Sequence, residues 1–275
     1  MTYLKHLFII PAILLLNTAC KKSDAQKAVF TQKIVSLPTH KLSAWVAAKN
    51  TKYLVVFESG LGDDHTAWPE KNLTATIAAQ SDVLNYDRAG YGKSTSGPAP
   101  RNIAKLCEEL EKVIGEFAGD RKVVLVGHSL GGMIIRDYAV KNLSKTAALL
   151  FVDPSNETYN RPTAEEQEMI YNLFAGQYGA NFGGSQEAKY LIDDANYVAA
   201  LPALPNVPVV VLTSMKTDAD HNAADRKKWF DSHELLGKGL SDFKHLSTTR
   251  SGHYIMQEES ELVLNNLKEL LAKLP

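Results

Sequence analysis

The amino-acid sequence predicts an α/β protein whose mostly parallel sheet is flanked by helices. Short runs rich in β-branched residues alternate with amphipathic stretches along most of the chain, which is typical of strand–helix–strand units. The first two predicted strands are joined by a short turn at residues 38–40, so they are expected to pair as a hairpin. A third observation is the break at residues 127–132, where an apolar run stops at glycines and a helical pattern begins.

Eight strands and five long helices are predicted outside one atypical stretch. The predicted strands comprise residues 30–37, 42–47, 53–58, 83–86, 122–126, 147–152, 207–213 and 245–249. The predicted helices comprise residues 68–80, 102–118, 130–142, 223–236 and 258–274. Hydrophobic residues make up 45% of the chain and charged residues 22%, which is typical of a globular protein with a full core.

The atypical stretch comprises residues 154–206 and contains no strand pattern. It carries helical patterns at residues 163–174 and 186–199 and is rich in tyrosine. A segment this long inside a compact domain needs structure or function of its own. It is therefore predicted to be a helical cap, inserted into a sheet domain that comprises residues 29–153 and 207–275.

The N-terminus is predicted to be a targeting segment. Lys5 precedes an apolar run, residues 7–16, that is shorter than a transmembrane helix requires. Residues 1–20 are read as a signal peptide whose end resembles a bacterial lipoprotein processing site, with Cys20 as the lipidated cysteine. Residues 21–28 then form a polar tether. These features predict a lipid anchor in a bacterial cell envelope; the alternative is a periplasmic or secreted protein with Cys20 in a discarded or flexible segment.

The charge and the cysteines exclude several classes of function. The formal net charge is −1, whereas a nucleic-acid-binding protein needs a basic excess for phosphate contacts, so no nucleic-acid partner is predicted. The chain has two cysteines. If Cys20 carries lipid, Cys107 has no disulfide partner, and its helical spacing with apolar neighbours predicts a buried structural thiol. Two cysteines this far apart also give no zinc-ligand pattern.

Ser129 is the predicted nucleophile. A strand that runs directly into a helix forces its junction residue into a tight turn, and Gly127 and Gly131 remove the side chains that would clash there. The Ser129 hydroxyl is thereby raised above the sheet at the N-terminus of a helix, where the helix dipole favours negative charge. This is the G-x-S-x-G nucleophile turn.

A serine nucleophile needs a base and a site for the developing negative charge. His253 lies between the last predicted strand and the final helix, at the same edge of the sheet as Ser129, and is the predicted base. The amide of Leu130, directly after the serine, is one predicted oxyanion donor. The amide of Leu61, in the glycine-rich turn after residues 53–58, is the second.

Five segments of the sequence resemble the α/β-hydrolase superfamily in order and spacing: FESGLGDD, YDRAGYGKS, VGHSLGG, FVDP and SGHYI. The resemblance implies a mainly parallel eight-stranded sheet, a cap after strand six, and a serine–histidine–acid triad that needs no cofactor. The turn that contains Asp87 and Arg88 is usually structural in this family, so these two residues are expected to be scaffold. Residues 92–95 do not predict a nucleotide site, because Asp87 stands where a phosphate-binding loop requires glycine.

The family pattern leaves two aspartates as candidates for the third member of the triad. In most relatives the acid follows strand seven after a G-x-x-D turn; here the glycine is absent and Asp218 falls one place late. In some branches the acid stands at the end of strand six, which is the place of Asp153. Asp153 is the first choice and Asp218 the alternative. Asp218, Asp220 and His221 could together bind a metal, but without further ligands no metal site is predicted.

The predicted function is a serine hydrolase that cleaves a carboxylic ester or a related small acyl substrate through an acyl-enzyme. A serine at the nucleophile turn argues against epoxide hydrolases and haloalkane dehalogenases, which use aspartate there. An aminopeptidase or an acyltransferase is possible within the same enzyme class. A non-catalytic, envelope-tethered binding protein is the alternative of another class, because fold does not fix function. The sequence does not indicate an oligomeric state.

Overall fold

The computed structural model describes residues 29–159, 161–219 and 221–275. The predicted signal peptide, the tether and Cys20 lie outside these residues, as does Asp220. The strands are β1 (Thr31–Ser36), β2 (Lys41–Ala47), β3 (Tyr53–Glu58), β4 (Asp82–Tyr86), β5 (Lys122–His128), β6 (Thr146–Val152), β7 (Val209–Ser214) and β8 (Phe243–Thr248). The α-helices are α1 (Ala75–Ala78), α2 (Ile103–Ala118), α3 (Leu130–Lys141), α4 (Ala164–Tyr178), α5 (Gly183–Glu187), α6 (Leu191–Ala199), α7 (Ala223–Glu234), α8 (Ile255–Glu258) and α9 (Ser260–Lys273).

The eight strands form one sheet in the order β1-β2-β4-β3-β5-β6-β7-β8. The pairs β1–β2 and β2–β4 are antiparallel and the other pairs are parallel, which confirms the predicted hairpin and the mostly parallel sheet. The carboxyl ends of the parallel strands meet at one edge. The loops after β3, β5, β6, β7 and β8 therefore lie together, and ligand sites of open α/β sheets lie at this edge.

Helices pack against both faces of the sheet. Alternate residues of a strand point to opposite faces. Leu54 and Val56 of β3 accordingly pack with residues of α2 and α3, whereas Val55 and Phe57 pack with residues of α1 and α9. Cys107 lies in the first of these cores as a buried free thiol, and burial raises its pKa. This placement matches the structural role predicted for it.

Two predicted helices differ in form. Residues 68–80 are not one α-helix: the carbonyl of Pro69 accepts hydrogen bonds from both Leu73 N and Thr74 N, so the chain makes a widened π turn at Glu70–Thr74 before α1. Leu73 of this turn and Ile77 of α1 are both buried. The final helix is divided at Glu259 into α8 and α9.

The segment between β6 and β7 is helical, as predicted, but more divided. It contains α4, α5 and α6, and the predicted helix 186–199 is interrupted by a 3-10 turn at Ala188–Tyr190. Helix α4 begins with a reciprocal hydrogen-bonded cap between Thr163 and Glu166, yet none of its residues is buried. Within the described ranges, no helix is long and apolar enough to cross a bilayer.

Candidate functional site

Ser129 lies at the junction of β5 and α3 in a conformation that side chains rarely adopt, with φ 51° and ψ −123°. Glycine is required at both flanking positions, because backbone carbonyl groups lie where a Cβ atom would be. A Cβ at Gly127 would lie 2.7 Å from the carbonyl oxygen of Gly131, and a Cβ at Gly131 would lie 2.4 Å from the carbonyl oxygen of Glu58. The turn predicted from the sequence therefore forms, and its glycines let α3 start directly against β3.

Asp153 follows β6 and is fully buried, with φ 43°. Its Oδ2 lies 2.7 Å from His253 Nδ1. Its Oδ1 accepts hydrogen bonds from Ser214 N and from Trp229 Nε1, each at 2.8 Å. Burial alone would raise the pKa of this carboxyl, but the hydrogen bond and charge of His253 and the Ser214 amide outweigh burial and lower it. Asp153 is thus an ionised carboxylate held against the histidine ring.

Asp218, the alternative acid, lies in the same cleft but contacts other groups. Its Oδ1 accepts from His221 N at 2.8 Å and lies 2.9 Å from His221 Nδ1, and its Oδ2 accepts from Arg226 at 2.9 Å. About half of the Asp218 side chain is exposed. Of the two aspartates, the structure brings Asp153 against His253.

Ser129 and His253 line one cleft of about 310 Å³ together with Asp153 and Asp218. The Ser129 Oγ lies 3.4 Å from Ser155 Oγ. The described residues give no hydrogen bond between Ser129 Oγ and His253. Catalytic hydrogen bonds are often long without substrate and tighten when it binds. The structure therefore brings serine, histidine and aspartate together with only the histidine–aspartate bond already formed.

The two predicted oxyanion donors also lie beside the serine. Leu61, Leu130 and Ser129 line the same cavity, and within the described residues neither the Leu61 nor the Leu130 amide donates a hydrogen bond. Free amides beside a nucleophile are the groups that stabilise an oxyanion.

Arg88 holds the turn that carries Leu61. Its Nη1 donates to Ser59 O at 2.6 Å and its Nη2 donates to Gly60 O at 2.7 Å. A trans peptide places its C=O and N–H on opposite sides. The hydrogen bond to Gly60 O therefore turns the N–H of the next residue, Leu61, away from Arg88.

Arg88 is itself held by two buried carboxylates. Glu58 accepts from Nη1 at 2.9 Å, and Glu187 of α5 accepts from Nε at 2.8 Å and from Nη2 at 3.0 Å. Tyr91 completes the cluster: its hydroxyl donates to Glu187 at 2.6 Å and accepts from Gly62 N at 3.1 Å. The cluster ties the segment after β6 to the turn that carries Leu61. Arg88 is scaffold, as predicted, and its position makes it scaffold for this turn.

Replacing Tyr91 with phenylalanine is expected to lower the kcat of hydrolysis about three- to tenfold, because Gly62 N loses the acceptor that fixes the residue next to Leu61; one hydrogen bond contributes roughly 1 kcal/mol. KM should change little. The control is Tyr86→Phe, which removes a hydroxyl bonded to Glu58 at 2.5 Å in the same cluster but no contact with Gly62. Equal losses in the two variants would contradict the assignment.

His128 packs beside His253, with ring centroids 4.5 Å apart. Its Nε2 lies 3.0 Å from His253 O. Because that partner is a carbonyl, Nε2 carries the proton and donates. Burial, together with the nearby charge of His253, lowers the pKa of His128 to about 3, so it stays neutral. His128 thus holds the main chain of the predicted base without competing for its proton.

A second cavity, of about 410 Å³, is lined by Ser129 and by residues of α3, α4 and α6. Most of its lining is apolar, but it also contains Asp194 of α6, whose exposure is only 2%. Burial raises the pKa of Asp194 to about 7; the Ile103 amide opposes this rise, and the charges of Glu187 and Asp193 add to it. No sequence pattern singles out Asp194, because an aspartate in a helical pattern is most often solvated.

Because its pKa is raised, Asp194 lowers the free energy of unfolding by an amount that depends on pH. In the unfolded chain an aspartate loses its proton near pH 4, whereas folded Asp194 keeps it to about pH 7. The folded state therefore binds the extra proton between these values, and stability falls as pH rises through this window. Asp194→Asn removes the titrating group and therefore this loss of stability. The unfolding free energy of the variant, relative to that of the wild type, should rise by roughly 2–3 kcal/mol from about pH 5 to about pH 8.

Urea unfolding of both proteins at the two pH values measures this difference, and titrations common to both proteins cancel. The exposed neighbour Asp193 provides the control: its charge raises the pKa of Asp194 less than burial does, so Asp193→Asn should show a much smaller growth. An advantage of Asp194→Asn that stays constant with pH would contradict the prediction.

One set of three potential metal ligands occurs within the described residues: Asp64, His65 and Asp87, whose ligand atoms lie within 4.8 Å of one another. These atoms already bond to the chain. Asp87 Oδ1 accepts from His65 N at 3.0 Å and lies 2.7 Å from His65 Nδ1, while Asp64 Oδ1 accepts from Thr66 N at 2.8 Å. They secure the turn after β3, which matches the scaffold role predicted for Asp87.

Comparison with known proteins gives one family and several similar structures. The family model described as alpha/beta hydrolase fold matches residues 53–259. The chain is 25% identical over 214 residues to the uncharacterized protein YqjL of Bacillus subtilis (strain 168), covering 76% of this chain and 79% of that protein.

Two solved structures illustrate the range of similar folds. A thermophilic esterase from Thermogutta terrifontis has a TM-score of 0.69 and 17% identity, covering 90% of this chain and 99% of the esterase. Epoxide hydrolase A from Mycobacterium thermoresistibile has a TM-score of 0.70 and 14% identity, with the same coverage of 90% and 99%. At these identities the similarity is one of fold.

Proposed function

The chain belongs to the alpha/beta hydrolase fold family, and on that premise we propose that it is a serine hydrolase that cleaves a carboxylic ester or a related acyl substrate. One observation carries the proposal: Ser129, at the turn between β5 and α3, shares a cleft with the hydrogen-bonded pair of His253 and Asp153. Nucleophile, base and orienting acid are the three groups that acyl transfer by serine requires.

In this proposal Ser129 Oγ attacks the substrate carbonyl and His253 Nε2 takes the hydroxyl proton. His253 Nδ1 faces Asp153 Oδ2 at 2.7 Å, which keeps the ring proton on Nδ1 and leaves Nε2 free to accept. The carboxylate also stabilises the imidazolium that forms. The imidazolium then gives its proton to the leaving alcohol, and water hydrolyses the acyl-serine by the same steps.

The amides of Leu61 and Leu130 stabilise the oxyanion of each tetrahedral intermediate. Both line the cavity at Ser129, and both are free of other acceptors within the described residues. Arg88 orients the first of these amides through Gly60 O. A donor that is already oriented costs no reorganisation at the moment of reaction, which makes such a site worth several kcal/mol.

A serine nucleophile favours acyl substrates over epoxides, although several similar structures are epoxide hydrolases. Attack of a serine hydroxyl on an epoxide carbon would leave a stable ether with no acyl carbon for water to attack. Attack on an ester leaves an acyl-serine, which water cleaves. The chemistry of Ser129 therefore supports an esterase-like reaction.

Labelling with a fluorophosphonate tests the proposal and separates it from a non-catalytic binding protein on the same fold. The soluble fragment should gain one phosphonyl adduct, and peptide mass spectrometry should place it on Ser129. No adduct, or an adduct at another residue, would overturn the serine mechanism. A panel of esters of graded acyl length then defines the substrate range. Transfer of the acyl group to an added alcohol would identify an acyltransferase. Cleavage of an amino-terminal peptide bond would identify an aminopeptidase.

The location of the enzyme is part of the same proposal: a lipid-anchored protein of a bacterial cell envelope. Its support is the sequence of residues 1–20, with Lys5, the apolar run and Cys20. The mature protein should begin at Cys20, carry lipid and partition with membranes, and Cys20→Ala should block lipidation. Intact-mass measurement of the membrane form decides this, since a mature mass without an acyl addition would exclude the anchor.

A further inference from the structure

The cavity of about 410 Å³ beside Ser129 contains a buried carboxylate that the proposed mechanism does not use. Asp194 is 2% exposed and lines this cavity from α6, on the segment between β6 and β7. Its Oδ1 accepts from Ile103 N, the first amide of α2, at 2.7 Å. Within the described residues Asp194 forms no ion pair and its Oδ2 receives no hydrogen bond.

The neighbouring charges do not neutralise it. The charges of Glu187 and Asp193, which both act on Asp194, are negative, and Glu187 is itself paired with Arg88. Arg161 and Glu166 line the same cavity but are exposed, and each is engaged elsewhere: Arg161 Nε donates to Glu157 O at 2.7 Å, and Glu166 accepts from Thr163 N at 2.7 Å.

The residues that line the cavity around Asp194 indicate which kind of ligand could bind there. The cavity that contains both this carboxylate and Ser129 is also lined by apolar side chains that would accommodate a hydrocarbon chain: Leu61, Leu130, Met133, Ile170 and Leu191. A ligand bound in this cavity can contact both Ser129 and Asp194.

We propose that Asp194 Oδ2 binds an ammonium group at the remote end of the substrate, so that the preferred substrate is an acyl compound with a primary amine on an apolar spacer. The inference rests on the proposed function and specifies its substrate class. An unpaired buried carboxylate is complemented best by a cation that donates a charge-assisted hydrogen bond. The protein already desolvates this carboxylate on folding, so only the ammonium group has to lose water on binding.

A binding measurement tests the site without relying on turnover. The Ser129→Ala protein is titrated by calorimetry near pH 8 with n-alkylammonium ions of graded length and with the matching n-alkanols. The best ammonium ion should bind at least about tenfold more tightly than its alkanol, as expected for a charge-assisted contact. Equal affinity, tighter binding of the alkanol, or binding of neither series would overturn the site.

Two variants locate the effect. Asp194→Asn keeps a carbonyl oxygen for Ile103 N and removes the charge, so it should remain folded and lose the preference for ammonium. Asp193→Asn, the exposed neighbour on the same helix, should keep the preference. Retention of the preference in Asp194→Asn would overturn the proposal.

Turnover then separates this inference from the proposed function. Wild-type enzyme is given esters with a terminal ammonium group in the acyl or in the alcohol part, and esters with a methyl group in its place. The kcat/KM ratio of ammonium to methyl ester should exceed about ten at one spacer length and fall about tenfold in Asp194→Asn. If the enzyme hydrolyses neutral esters without this preference, the ammonium site is wrong and the proposed hydrolase function stands. If ammonium ions bind but no ester is hydrolysed, the hydrolase function is wrong and the ammonium site stands.

Discussion

Replacing Ser129 with alanine is expected to lower ester hydrolysis by a factor on the order of 10⁴ or more, because the group that forms the acyl-enzyme is removed and the members of a triad act as a unit. The fold should remain. Alanine has the same Cβ as serine at φ 51°, so the backbone cost of this position does not change. Initial rates on a short-chain ester, together with thermal melting, measure both effects.

The neighbouring hydroxyl provides a matched control. Ser155 Oγ lies 3.4 Å from Ser129 Oγ in the same cleft, so Ser155→Ala removes an equivalent atom that is not the proposed nucleophile. It should cost less than about tenfold in rate, the effect of one neutral hydrogen bond. If Ser129→Ala keeps more than about a tenth of the wild-type rate, Ser129 is not the nucleophile.

The sheet could be predicted from the sequence because its strands are short apolar runs with turn residues between them. All eight strands form, with ends that differ from the prediction by at most two residues, as at β7 and β8. The helix predicted at residues 68–80 is helical at Glu70–Thr74 and Ala75–Ala78 but is not one α-helix, and the spacing of Leu73 and Ile77 fits a π turn followed by α1 as well as it fits one helix. Apolar spacing alone does not distinguish the two.

The site could be predicted only where it is local in sequence. Ser129 stands in a strand–turn–helix pattern, and His253 follows the last strand, so both could be placed at one edge of the sheet. Asp194 and the pairing of Arg88 with Glu187 depend on contacts between residues about 90 to 100 positions apart. No single-sequence pattern carries those contacts. The choice between Asp153 and Asp218 was open for the same reason, since both follow strands that end at this edge.

The acid is decided by Asp153→Asn, which is expected to lower kcat by about 10⁴, the loss seen when a serine protease undergoes the same change. Asp153 Oδ1 accepts from Ser214 N and Trp229 Nε1. Because both partners are donors, the carbonyl oxygen of an asparagine would stay at that position and its NH₂ group would face His253 Nδ1. Nδ1 would then have to accept, and the ring proton would move to Nε2. A histidine in that tautomer cannot take the proton of Ser129.

Asp218→Asn is the matched variant, because it removes one charge from the same cleft without touching His253. It should change kcat less than about tenfold, the scale of a partly exposed ion pair. Melting curves must show that Asp153→Asn remains folded, since its side chain also ties β7 to the loop after β6. A folded Asp153→Asn protein with a near-wild-type rate would remove Asp153 from the mechanism, and an inactive Asp218→Asn protein would assign the acid to Asp218. If neither variant loses activity, a different carboxylate or a bound water orients His253.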